Sequence, residues 1–157
     1  MRTINEIIIH CAATRPDQDI HAADVDRWHK RKGWDCIGYH FFIDLDGTIE
    51  PGRPIWKVGA HTLNHNKHSI GICYAGGIKS IGDKDKAMDT RTPAQVTAMW
   101  CLVSTLLHCF PSINSVKGHR DYNATACPCF DAEAEFYALV EKIRSIDYLK
   151  NTAKPGD

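Results

Sequence analysis

Nine histidines and seven cysteines in 157 residues are the side chains with the most chemistry to offer in this sequence. Imidazole nitrogen and thiolate sulfur are donors that suit zinc and similar ions. Three of them stand where loops are expected to gather. His10 closes the apolar run Ile-Ile-Ile at 7–9, and His119 closes Ser-Val-Lys-Gly at 115–118. Cys127 follows eight residues later in the turn-rich stretch Asn-Ala-Thr-Ala-Cys-Pro-Cys at 123–129. Two imidazoles and one thiolate would make a three-ligand zinc site whose fourth position is open to water. Such an ion brings the pKa of its water to about 7 and polarises a carbonyl. Spacing alone leaves another assignment open, since no compact CxxC pair is present. In that assignment the three are a core histidine, a surface histidine and a structural thiol.

Something must position these residues. The β-branched run at 4–10 is too short for a helix and reads as a strand. Asp19 can cap a helix over 20–32 that Gly33 stops. Runs at 39–44 and 48–50 flank Asp46-Gly47, a hairpin signal. Residues 69–75 form another strand, and the polar stretch 76–91 is expected to be a mobile loop. Thr92-Pro93-Ala94-Gln95 combines an N-cap, a proline at the first helical position and a capping-box glutamine. That helix should run to 109, before Pro111. Apolar residues cover most of its circumference, so it is expected to be a buried central helix, with Cys101 and Cys109 as small buried hydrophobes. A short strand at 115–118 leads into His119, and Asp131 can cap a last helix over 132–146. Strands alternating with helices give an α/β class with a central mixed sheet flanked by helices. Residues 1–149 are expected to form one catalytic domain and residues 150–157 a flexible tail.

Composition excludes several function classes. Lys plus Arg is 19 and Asp plus Glu is 19, so the net charge is zero, unlike the basic excess of nucleic-acid binders. No apolar run approaches the ~20 residues that span a bilayer, and the N-terminus is expected to carry no signal peptide. The odd cysteine number and the lack of a dense disulfide framework suit synthesis in a reducing cytoplasm.

Further motifs complete a pattern. They are Ile-Ile-Ile-His-Cys-Ala-Ala-Thr at 7–14, Trp-His-Lys at 28–30, Gly-Trp at 33–34 and Ile-Gly-Tyr-His-Phe at 37–41. Asp-Gly-Thr-Ile-Glu-Pro-Gly-Arg follows at 46–53, then Val-Gly-Ala-His at 58–61 and Ser-Ile-Gly-Ile at 69–72. Thr-Pro-Ala-Gln at 92–95, Gly-His-Arg-Asp at 118–121 and Ala-Cys-Pro at 126–128 close the series. Each piece is common, but in this order they make a specific match over about residues 4–140. The sequence resembles the zinc-dependent N-acetylmuramoyl-L-alanine amidases of type 2, which include short phage lysins and the peptidoglycan recognition proteins.

The resemblance implies hydrolysis of the amide between N-acetylmuramic acid and L-alanine in bacterial peptidoglycan, with Zn²⁺ as cofactor and an endolysin as the nearest kind. It puts His10, His119 and Cys127 on the zinc ligands and Tyr39 on the catalytic tyrosine, whose strand can aim its ring at the metal. An ordinary strand aromatic is the other assignment for Tyr39. Thr125 falls where phage lysins tend to carry Lys and active recognition proteins often carry Thr. Its hydroxyl either donates to the oxyanion or only orders the loop before Cys127. His61, His68 and Arg53 fall on possible contacts to the glycan strand and stem peptide, while Glu50 is either a second proton acceptor or an ordinary strand carboxylate. Cys129 matches no ligand position, and Cys11 should face the other side of its strand. The protein is expected to act as a monomer on the cell wall after release or export, without nucleic acid or membrane insertion. Two rivals follow from the same residues: a module that binds peptidoglycan without cutting it, and a Cys-His hydrolase with Cys127 as nucleophile.

Overall fold

β1 (Glu6–Cys11) is buried along its whole length, which such an apolar run achieves at the centre of a sheet covered on both faces. The computed structural model describes residues 2–152. It sets β1 between β4 (Ser69–Tyr74) and β7 (Ser115–Gly118), parallel to both. β2 (Phe41–Ile43) lies parallel to β4 on its far side and returns antiparallel as β3 (Ile49–Pro51), giving the order β3-β2-β4-β1-β7. This is the expected central mixed sheet. Side-chain alternation divides its two faces. Ile7, Ile9, Ile72 and Tyr74 share a core with Met99 and Val103 of α2 (Pro93–Cys109) and with Phe136 and Val140 of α3 (Ala132–Thr152). On the opposite face Phe42 and Cys73 pack with Ala22 and Val25 of α1 (Ala22–Arg31). His10 falls on the α1 face, whereas Cys11 joins the other core, as expected.

Local signals explain most boundaries. The Thr92 hydroxyl accepts the Gln95 backbone N–H, and the Gln95 side-chain Oε1 accepts the Thr92 N–H. The Gln95 amide, fully buried, donates to the carbonyls of Ile43 and Ala75 and ties α2 to the sheet. Gly47 has a φ of +88° at the β2–β3 turn, where the Asp46 carboxylate accepts the Thr48 N–H. Gly33, at φ +86°, follows the end of α1.

Five expectations need correction. α1 starts at Ala22, not at 20, because the Asp24 carboxylate accepts the His21 N–H and makes His21 the N-cap in place of Asp19. The strand expected at 39–44 is shorter, so Tyr39 precedes β2. The stretch 76–91 contains a hairpin of β5 (Ile78–Ile81) and β6 (Lys84–Ala87). Nearly all its side chains are exposed, so no apolar alternation announces it. α2 buries only one side, and Trp100, Cys101 and Cys109 are exposed. Finally, α3 runs to Thr152, so residues 150–152 of the expected tail are helical, and 153–157 lie outside the described residues. All seven cysteines are free. Among the described residues no helix is long and apolar enough to cross a membrane.

Candidate active site

The sheet register brings the first two donors together. Ile9 pairs with Gly118 in parallel strands, so the residues that follow, His10 and His119, emerge side by side at the carboxyl edge. Their ring centroids are 4.6 Å apart. His119 opens a 3₁₀ turn (His119–Asp121), whose Arg120 N–H donates to the Cys127 carbonyl at 2.7 Å and folds the next loop back onto the strand ends. The Cys11 N–H donates to Cys127 Sγ at 3.2 Å, and that sulfur lies 3.9 Å from His10 Nδ1. The three donor atoms of His10, His119 and Cys127 all lie within 4.8 Å of one another.

The surroundings fit a metal ion. His10 is 1% exposed, and burial, helped by His61 and His119, drives its pKa well below the usual histidine value. Burial also lowers His119. Both rings are therefore neutral, as metal ligation requires. The hydrogen bonds also assign a tautomer. His10 Nε2 lies 3.3 Å from Thr62 Oγ1, which lies 3.2 Å from His61 Nδ1. His61 Nε2 lies 3.4 Å from Ser69 Oγ, and that hydroxyl donates to the His65 carbonyl at 2.8 Å. One direction satisfies the whole chain: His10 Nε2–H to Thr62, Thr62 to His61, His61 Nε2–H to Ser69, Ser69 to the carbonyl. It leaves the Nδ1 lone pair of His10 facing Cys127. An outer partner that fixes the second ring nitrogen is how proteins orient metal-ligating histidines.

Beside this group lies a cavity of about 260 Å³ lined by His10, His119, Cys127, Tyr39, Trp28 and His29, among others. The Tyr39 ring sits 5.0 Å from the His10 ring. Burial, reinforced by the neighbouring Cys73 and Cys127, pushes its phenol well above the usual value, so it stays protonated. Two neutral imidazoles and a cysteine sulfur, a phenol and a space for substrate can support hydrolysis of an acyl compound.

Residues 1–130 match the family described as N-acetylmuramoyl-L-alanine amidase. The chain belongs to that family. This amidase is 41% identical to the endolysin of Enterobacteria phage T3 over 129 residues, 82% of this chain and 83% of that one. It is likewise 41% identical to the endolysin of Escherichia phage T7 over 125 residues, 80% of each. Among solved structures it superposes on the N-acetylmuramoyl-L-alanine amidase LysC from Clostridium intestinale URNW with a TM-score of 0.70 and 30% identity. That match covers 92% of this chain and 85% of the other.

The amidase fold places the other expected residues as follows. His61 stands against His10, with Nδ1 3.1 Å from His10 Nε2. Thr125 is exposed, and its hydroxyl accepts the Cys127 N–H at 3.2 Å. It lines an adjoining cavity with Lys86 and Cys127 rather than the Tyr39 cavity. The Arg53 guanidinium is engaged by the carbonyls of Ile37, Val58 and Cys36, so it braces loops. His68 is exposed at the start of β4, the end remote from His10, and contacts the Thr3 carbonyl. Glu50 accepts the Ala22 N–H at the start of α1, outside the cavity beside His10 and Tyr39. Cys129 lies 3.8 Å from Cys11 and is not among the metal-competent donors.

Sequence reasoning passed over Thr62, Ser69 and the two glycines that admit the His61 ring. A Cβ on either Gly59 or Gly71 would come within 2.5 Å of His61 Cδ2. The signal was available: a hydroxyl residue directly after His61, and a glycine between two isoleucines of a strand.

Proposed function

We propose that this family member is a zinc-dependent endolysin that hydrolyses the amide between the lactyl group of N-acetylmuramic acid and L-alanine of the stem peptide. The observation that carries this reading is the convergence of neutral His10, neutral His119 and Cys127 beside the protonated Tyr39, in a chain of the amidase family. His10 through Nδ1, His119 and Cys127 would hold the ion. Zinc, when bound, supplies Lewis-acid polarisation of the scissile carbonyl and an acidified water. Thr62 and His61 keep the His10 ring turned toward Cys127. The Tyr39 phenol donates a hydrogen bond to the oxygen that gains charge as the amide is attacked. The Thr125 hydroxyl accepts the Cys127 N–H and orders the loop before that ligand, with no positive charge to add. His61 borders the groove for the peptide, and Arg53 shapes it by bracing loops. The catalytic unit extends to the end of α3 at Thr152. It acts as a monomer on cell-wall peptidoglycan after release from the cytoplasm.

Metal analysis combined with mass spectrometry of digested sacculi tests this. The wild type should carry zinc and release stem peptides with new L-alanine amino termini, while Cys127→Ala should do neither and remain folded. A folded, zinc-loaded wild type that releases no such termini defeats the reading, as does activity that survives a chelator.

A further inference from the structure

A second group of nitrogen and oxygen donors stands away from the catalytic cavity. His21 caps α1, Asp44 follows β2, and Glu50 lies on β3. His21 Nδ1 is 2.7 Å from Asp44 Oδ2 and 3.6 Å from Glu50 Oε1. One donor atom from each of the three lies within 4.8 Å of the others. Donors about 2.1 Å from a tetrahedral ion stand roughly 3.4 Å apart, and the two observed separations bracket that value.

Two further observations ask for a cation. The Asp44 side chain is 8% exposed, and its Oδ1 has no hydrogen-bond partner among the described residues. A buried, unpartnered carboxylate oxygen is costly. The charge balance is also one-sided. Asp19 lies 3.4 Å from His21 Nε2, so three carboxylates surround one imidazole. Among the described residues no lysine or arginine pairs with Asp19, Asp44 or Glu50. Crowded carboxylates of this kind either share a proton or ionise together beside a cation.

We propose that His21, Asp44 and Glu50 form a second divalent-cation site, separate from the catalytic group. One imidazole with two carboxylates suits a borderline ion such as Zn²⁺ or Mn²⁺. The bound ion ties the start of α1 to the β2–β3 hairpin. α1 carries Val25, Trp28 and His29, which line the catalytic cavity, so the site steadies one wall of that cavity.

The test uses the full-length chain, stripped of metal and titrated with zinc chloride alone. Bound zinc is counted after desalting, and circular dichroism checks the fold. The wild type should retain two equivalents per chain, and Cys127→Ser, His21→Gln and Asp44→Asn one each. The double variant His21→Gln/Cys127→Ser should retain none. Because His21 is exposed, His21→Gln reports on the site even if Asp44→Asn unfolds. One equivalent in the wild type overturns the proposal and leaves a proton shared by Asp44 and Glu50 as the account of the cluster. Two equivalents in a folded His21→Gln overturn it as well. Loss of zinc confined to Cys127→Ser would leave the catalytic reading standing while this one fails.

Discussion

Replacing Thr62 by valine keeps the volume and β-branching of the side chain but removes the hydroxyl between His10 and His61. Thr62 is 1% exposed, so bulk water does not replace the lost group. Two hydrogen bonds disappear, from His10 Nε2 at 3.3 Å and to His61 Nδ1 at 3.2 Å, each worth about 1 kcal/mol net. His61 Nδ1 is itself 3.1 Å from His10 Nε2 and can accept that proton directly, so the donor is not stranded. The expected loss is therefore about 2 kcal/mol rather than the larger cost of a buried, unsatisfied N–H. Expressed in metal binding, this is roughly a 30-fold rise in Kd, within the 10–100-fold effect usual for outer partners of metal ligands. Chelator competition at pH 7 measures it, with unfolding of the metal-free protein as a control. Thr62→Ser should recover most of the affinity. An unchanged zinc affinity in Thr62→Val would show that packing alone orients His10, and the hydrogen-bond chain would lose its assigned role.

Tyr39→Phe should lower turnover by about 10²–10³-fold while zinc content stays at the wild-type level; a parallel loss of metal would make Tyr39 a structural support of the ligands. Gln95→Leu should destabilise the fold by about 2–4 kcal/mol in urea unfolding, because the carbonyls of Ile43 and Ala75 lose a buried side-chain donor. A near-neutral result would mean that water or a repacked helix satisfies them. His29 and His40 give a pH dependence. Burial lowers both to about 4 from 6.5, and each Nδ1 accepts a backbone N–H, from Gly38 and from Gly71 respectively. The unfolded imidazoles take up protons near 6.5 and the folded ones only near 4, so the unfolded state gains protons first. Stability of the metal-free protein should hold above about pH 6.5 and fall as pH drops toward 4. A denaturation midpoint that rises over that interval would contradict the sign.

Much of the fold was legible because its signals are local or periodic. The isoleucine run of β1, the Asp46-Gly47 turn and the Thr92–Gln95 box each encode their structure within a few residues. What escaped depends on distant partners. Whether Cys101 and Cys109 are covered depends on where α3 lies, which no pattern within α2 states. The β5–β6 hairpin is held by backbone pairing with exposed side chains, so its sequence looks like a loop. The site divides in the same way. His10 and His119 stand at predicted strand ends, and their neighbourhood follows from strand pairing. Thr62, His61 and Ser69 meet only because Gly59 and Gly71 leave room for a ring between them, a three-dimensional fact. Arg53 shows the converse: its charge suggested a ligand contact, while its geometry commits it to three carbonyls.

His10 and Cys127 are 117 positions apart in the chain. An ion held between them cross-links the opening strand to the last third of the molecule. A covalent bridge closing a loop of that length removes unfolded-state entropy worth on the order of 4–5 kcal/mol, yet the chain leaves all seven thiols free. A metal bound there would be a reversible staple as well as a reaction centre. Resistance to heat and to proteases should then track metal supply, and its removal should loosen the topology along with silencing the chemistry.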